Sequence, residues 1–94
     1  MFIDVVRKDV EAYMPTTFEL HTPACSFHVK NFTQDSILVC LDHWEDSESV
    51  MIGAGMCEVV NSNPDIDRSM TRTPTKRVIV KAKAAGTVEV IRYD

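Results

Sequence analysis

Ser36-Ile37-Leu38-Val39-Cys40-Leu41-Asp42 is the stretch on which the reading of the chain turns. Side chains on an extended strand alternate between two faces, so Ile37, Val39 and Leu41 share one face while Leu38 and Cys40 share the other. Both faces are apolar, and a strand of that kind is covered on both sides. The stretch is therefore expected at the centre of the core.

Working outward, the same two-residue period recurs with a cleaner division between apolar and polar positions. Phe18 and Leu20 flank Glu19, Phe27 and Val29 flank His28, and Val88 and Val90 flank Glu89. These strands have one wet face. Strands are predicted near Phe2 to Arg7, Thr17 to Thr22, Cys25 to Lys30, Ser36 to Asp42, Ser49 to Ile52, Gly55 to Asn61, Thr75 to Lys83 and Thr87 to Tyr93. A helix competes only over Val5 to Met14, where Val5, Val6, Val10 and Met14 form a partial stripe stopped by Pro15. The linkers carry turn chemistry. Ala84-Ala85-Gly86 predicts a C-terminal hairpin whose last loop residue takes a positive φ, Phe32 to Asp35 predicts a second hairpin, and Gly53-Ala54-Gly55 predicts a tight corner. The break from Asn61 to Thr75 holds two prolines and few apolar residues, so it is expected to run over the surface. The expected fold is all-β, a small sandwich or flattened barrel of about eight short antiparallel strands with one long surface loop, forming a single domain over residues 1–94.

Composition agrees with a folded domain. The chain has 94 residues, 45% hydrophobic and 26% charged, too apolar for disorder and long enough for one core. A small all-β domain has little stability to spare, and its sheet edges offer unpaired backbone groups to another chain. Met1-Phe2-Ile3-Asp4 leads into Arg7, Lys8 and Asp9 without an apolar run, which predicts no signal peptide, no membrane association and synthesis in the cytoplasm. Cys25, Cys40 and Cys57 are odd in number and sit in apolar stretches, as buried thiols do.

The net charge of −4 conceals a segregation. Residues 1–67 hold twelve acidic and three basic side chains, whereas Arg68, Arg72, Lys76, Arg77, Lys81 and Lys83 follow without an acid among them. One reading is a solvated loop and strand face. The other is a protein interface in which this basic region meets an acidic surface on a second copy or a larger neighbour. Nucleic acid is disfavoured, because the whole chain is acidic and no aromatic residue interleaves these positions.

Asp42, Glu45, Asp46 and Glu48 surround Trp44. The cluster lacks the glycine of a calcium loop. Trp44 reads either as packing or protein contact, or as a stacking platform for a glycan. The spacings Cys25 to His28 and Cys40 to His43 suggest zinc ligands, yet residues three apart on a strand point to opposite faces. No nucleophile elbow, phosphate loop or dinucleotide fingerprint occurs, so no enzyme and no cofactor are expected.

Phe27-His28-Val29-Lys30-Asn31-Phe32-Thr33, then Ile37-Leu38-Val39, Ser49-Val50-Met51-Ile52, Ala54-Gly55 and Ala85-Gly86-Thr87-Val88-Glu89-Val90 together form a recognisable series. It resembles small β-sandwich proteins encoded among the structural genes of tailed bacteriophages and prophages. The resemblance runs from Phe27 onward, with a gap at the Asn61 to Thr75 loop. It implies a virion accessory protein, either a capsid decoration subunit or the capsid-attached base of a fibre. Its partner would be a phage capsid or other virion protein, which it would meet as a homo-oligomer or bound to a lattice, after assembly in the host cytoplasm.

Overall fold

Strong alternation becomes strand throughout, and Pro15 to Ala24 and Ser26 to Asn31 illustrate why: each buries its aromatic and aliphatic residues at every second position while the intervening polar ones face water. The computed structural model describes residues 3–61, 64–65, 71–72 and 74–93. Its strands are β1 (Ile3–Val10), β2 (Pro15–Ala24), β3 (Ser26–Asn31), β4 (Ile37–Leu41), β5 (Val50–Ile52), β6 (Cys57–Asn61), β7 (Pro64–Asp65), β8 (Thr71–Arg72), β9 (Thr75–Ala82) and β10 (Gly86–Tyr93). Among the described residues the only helical element is a single 3-10 turn at Asp46–Glu48.

Two four-stranded antiparallel sheets result, with orders β1-β10-β3-β6 and β2-β9-β4-β5, and β7 pairs with β8 in a separate small ribbon. This is a β-sandwich. Its core draws on every strand of both sheets: Val10, Phe18, Leu20, Phe27, Val29, Ile37, Val39, Ile52, Val60, Val78, Val80, Ala82, Val88 and Val90. In the Ile37 to Leu41 strand Ile37 and Val39 are buried inside and Cys40 on the outer side, while Leu38 and Leu41 are half-buried. Val5 to Met14 forms no helix; its opening residues belong to β1, paired along its length with β10 from Ile3↔Tyr93 to Val10↔Gly86.

The connections depart from expectation. β9 lies in the second sheet and β10 in the first, so Ala84-Ala85-Gly86 is an arch between layers and not a hairpin. Gly86 has no positive φ. Its requirement is steric: a Cβ there would sit 3.0 Å from the Thr33 Cα and 2.9 Å from its Cγ2. Phe32 to Asp35 is likewise an arch, from β3 to β4, and Gly53-Ala54-Gly55 is a corner from β5 to β6 with Gly55 at φ 72°. Only β4 and β5, among the strands of the two main sheets, are both consecutive and hydrogen-bonded to each other. Between Asn61 and Thr75 the described residues include the two-residue strands of the β7–β8 ribbon, which pairs with neither main sheet.

Two polar clusters organise the ends of the sandwich. At one, buried Asn31 donates its side-chain amide to the carbonyls of Asp35, Ile52 and Gly53 and accepts from the Thr33 N–H and hydroxyl, tying two connections together. At the other, buried Asp4 of β1 accepts from the His21 backbone N–H and lies 3.0 Å from the His21 ring nitrogen, while Arg92, its register partner on β10, donates to the Thr22 hydroxyl. Burial alone would raise the Asp4 pKa. The hydrogen bonds from the His21 backbone and ring, with the positive field of His21 and Arg92, outweigh it and hold the carboxyl below the usual aspartate range.

Candidate assembly surfaces

Of the basic residues singled out in sequence, the structure describes the side chains of Lys76, Arg77, Lys81 and Lys83, and these four do not share one face. β9 is a central strand, and alternation places Arg77 and Lys81 on its outer face while Lys76 falls in the set of Val78 and Val80. Lys83 lies just beyond the strand, in the arch. Arg77 is engaged by Glu19 of β2, through Nε at 3.2 Å and the terminal nitrogen at 3.1 Å. Arg68 lies outside the described residues, and of Arg72 only the backbone in β8 is described.

Trp44 sits in the 42–49 segment joining β4 to β5. Asp42 opens that segment with φ 70° and anchors it, its N–H bonded to the Arg77 carbonyl and its carboxylate accepting from the Thr75 hydroxyl. The segment then folds over β4, where the buried Cys40 thiol meets the Glu45 carbonyl at 3.3 Å. The Trp44 ring is half-buried, its N–H donates to Asp46 at 2.6 Å, and the Lys81 ammonium stands 4.0 Å from the ring centre. Lys81 therefore occupies one ring face as a cation–π partner, and that face is not open for stacking. The Glu45 side chain is exposed and accepts from its neighbour Ser47.

The outer face of the first sheet carries a charge ladder. Arg7, Glu89, Lys30 and Cys57 lie across β1, β10, β3 and β6 in register. Glu89 is buried between its neighbours, with Arg7 Nε at 2.8 Å and Lys30 at 3.7 Å. Among the described residues, Arg7, Phe32 and Thr87 line a recess there. The next row on that face, Val5, Ile91, His28 and Val59, is mainly apolar.

What sequence reasoning missed is the difference between the two sides of the sandwich, because it depends on strand order. On one side lie the edge strands β1 and β2. There, Lys8 of β1 reaches across to the Thr17 carbonyl at 2.9 Å, and Asp4 takes the His21 N–H, so β1 side chains satisfy backbone groups of β2. Exposed Pro15 and Pro23, and an irregular register between Glu19 and Ala24, blunt β2 further. On the opposite side lie β5 and β6, which carry no lysine, no proline and no bulge within their strands, and a single charged residue, exposed Glu58. Met51 on the outer face of β5, Met56 in the corner and Val59 on the outer face of β6 are 61%, 53% and 49% exposed, and Val50 is 36% exposed. The remaining exposed large apolar side chains among the described residues are dispersed: Tyr13 and Met14 between β1 and β2, Val5 on β1 and Phe32 after β3.

Among the described residues, no three or more His, Cys, Asp or Glu side chains gather as metal ligands, and no helix is long and apolar enough to cross a membrane. Cys25, Cys40 and Cys57 are free thiols, and Cys57 is exposed on β6. Fold and surface together define the class: an antiparallel β-sandwich in which, among the described residues, the β1–β2 side is capped and no strand pairs with the outer edges of β5 and β6. No family model, curated protein or solved structure matches the chain.

Proposed function

We propose that the chain is a non-enzymatic structural subunit that works by assembling with other protein chains through its β5–β6 side, and that the assembly is a virion. The observation that carries the assembly reading is the unequal treatment of the two sides. Soluble β proteins blunt exposed edges with charge, proline or bulges, and an edge left flat and apolar is a surface for pairing. Here a lysine on β1 and prolines and an irregular register on β2 blunt that side, whereas β5 and β6 carry one charged side chain, Glu58, beside exposed methionine and valine. The virion half of the reading rests on the resemblance of residues from Phe27 onward to accessory proteins of tailed bacteriophages. It implies a place on the capsid or a neighbouring head or tail subunit after assembly in the host cytoplasm. A glycan-binding role through Trp44, Asp42, Glu45 and Asp46 gains no support from a ring whose face is taken by Lys81.

The test is occupancy. Particles purified from cells that make the chain are expected to contain it at many copies by mass spectrometry. Met51→Lys is expected to lower that occupancy at least tenfold while leaving the circular dichroism of the isolated chain unchanged, because Met51 is exposed. Particles lacking the chain would remove the virion reading; full occupancy by the variant would remove the role of this side.

A further inference from the structure

We propose that β6 pairs antiparallel with β6 of a second copy of this chain, about a two-fold axis at Val59, so that the first sheets of two copies become one continuous sheet. This rests on the reading of the β5–β6 side as the assembly surface and names its occupant.

The backbone supplies the first reason. Asn31 donates its N–H to the Met56 carbonyl at 2.9 Å and accepts from the Gly55 N–H at 2.9 Å, so its main chain faces β6 and the corner before it. Donors and acceptors along an antiparallel strand turn alternately to its two neighbours. Val29 and Phe27 therefore face β6 as well, and their register partners Glu58 and Val60 face back toward β3. Cys57, Val59 and Asn61 are left with N–H and C=O directed away from the sheet, and no described strand pairs with them there. Three residues with both groups turned outward are a complete template for an added strand.

Charge and register supply the second. An axis at Val59 sets Val59 against Val59 and Cys57 against Asn61, and so uses all three outward-facing residues of each strand. Sliding toward the N-terminus by one step, to an axis at Glu58, would lay Glu58 directly against its copy, which like charges oppose, and would leave Asn61 unpaired. An axis at Val60 would set Cys57 beyond Asn61, the last residue of β6, and so pair only two of the three outward-facing residues within the strand. The favoured register is thus singled out by the strand itself.

The side chains supply the third. The row Val5, Ile91, His28 and Val59 ends at the edge on exposed Val59, and the two-fold would join it to the same row of the second copy. Exposed Met56 borders the same edge, and neither β6 nor the Gly53–Met56 corner contains a lysine or arginine that the junction would have to bury. The interface is isologous, as closed dimers require.

Light scattering on the purified chain at high-micromolar concentration is expected to give twice the 10.6 kDa chain mass. Val59→Lys should return it to the single-chain mass, whereas Val59→Thr, β-branched and uncharged, should keep the dimer. In a Cys57→Ser background, Val59→Cys should be captured as a covalent pair by a short thiol-to-thiol cross-linker at least tenfold more efficiently than the unaltered chain, whose two Cys57 residues would lie four positions apart. A wild-type chain that stays single, a Val59→Lys chain that stays double, or equal cross-linking from both positions would overturn the proposal. A single-chain mass together with loss of particle occupancy in Met51→Lys would leave the assembly surface standing and assign it to a different protein. A Val59-centred dimer without particle occupancy would do the reverse.

Discussion

Asn31 shows how much one buried side chain can hold in a fold of arches. Its amide meets three carbonyls, those of Asp35 and Gly53 in two connections and of Ile52 at the end of β5, and its oxygen receives two donors from Thr33, so the side chain's polar groups are all engaged inside the protein. Truncating it would strand several groups at once, at roughly 1–3 kcal/mol for each that water cannot reach. Asn31→Ala is therefore expected to lose about 3 kcal/mol in urea denaturation, a large share of the roughly 5–15 kcal/mol that domains possess. A loss below about 1 kcal/mol would mean that solvent replaces the amide. Asp4 gives a different signature. Its carboxyl titrates below the aspartate of the unfolded chain, so its ionised form favours the folded state. That contribution is complete above the unfolded-state value and disappears as the pH falls through the lower folded-state value. The stability gap between wild type and Asp4→Asn is accordingly expected to be constant near neutrality and to close in acid below about pH 4. A gap independent of pH would show that the carboxylate charge is not what stabilises this end.

At the scale of elements, strands were legible and their partners were not. Phe18-Glu19-Leu20 and Phe27-His28-Val29 announce extended chain because only a two-residue period separates their apolar from their polar positions. The same alternation says nothing about which layer a strand joins. Ala84-Ala85-Gly86 fits a hairpin loop and an arch equally well from sequence, since both need a short reversal next to a small residue. The deciding contact, Gly86 against Thr33, joins positions far apart in the chain. Nor did glycine mark every left-handed position: Tyr13 and Asp42 adopt φ 63° and 70° with side chains in place. The N–H of Tyr13 bonds to the Ala82 carbonyl and helps to hold it there. The candidate site was hidden for a related reason. The run from Arg68 to Lys83 is conspicuous as a string of charges, but pleating divides Lys76 from Arg77 and Lys81, and Glu19 and Trp44 engage the latter two. Cys57-Glu58-Val59-Val60-Asn61 reads as one more strand until the sheet order places it at an edge that no described strand covers.

Across the whole molecule, nearly every connection carries the chain from one layer to the other, and the first strand is completed only by the last. Few pairings are local. Chains whose contacts join distant positions fold slowly, because loop entropy is lost before the contacts form. Refolding from denaturant is thus expected in milliseconds to seconds by stopped-flow fluorescence of Trp44, and a microsecond phase accounting for the full amplitude would contradict the importance of the long-range ladder. The β1–β10 pairing has a mechanical side as well. Ile3 stands opposite Tyr93, so a load applied at these two residues acts at the same end of an antiparallel ladder and along the direction of its hydrogen bonds. The bonds would open in succession, as in a zipper, and would not share the load in shear. A tether attached at these positions would peel β1 from β10 under modest tension, while a pull delivered through the far side of the sandwich would leave that seam closed.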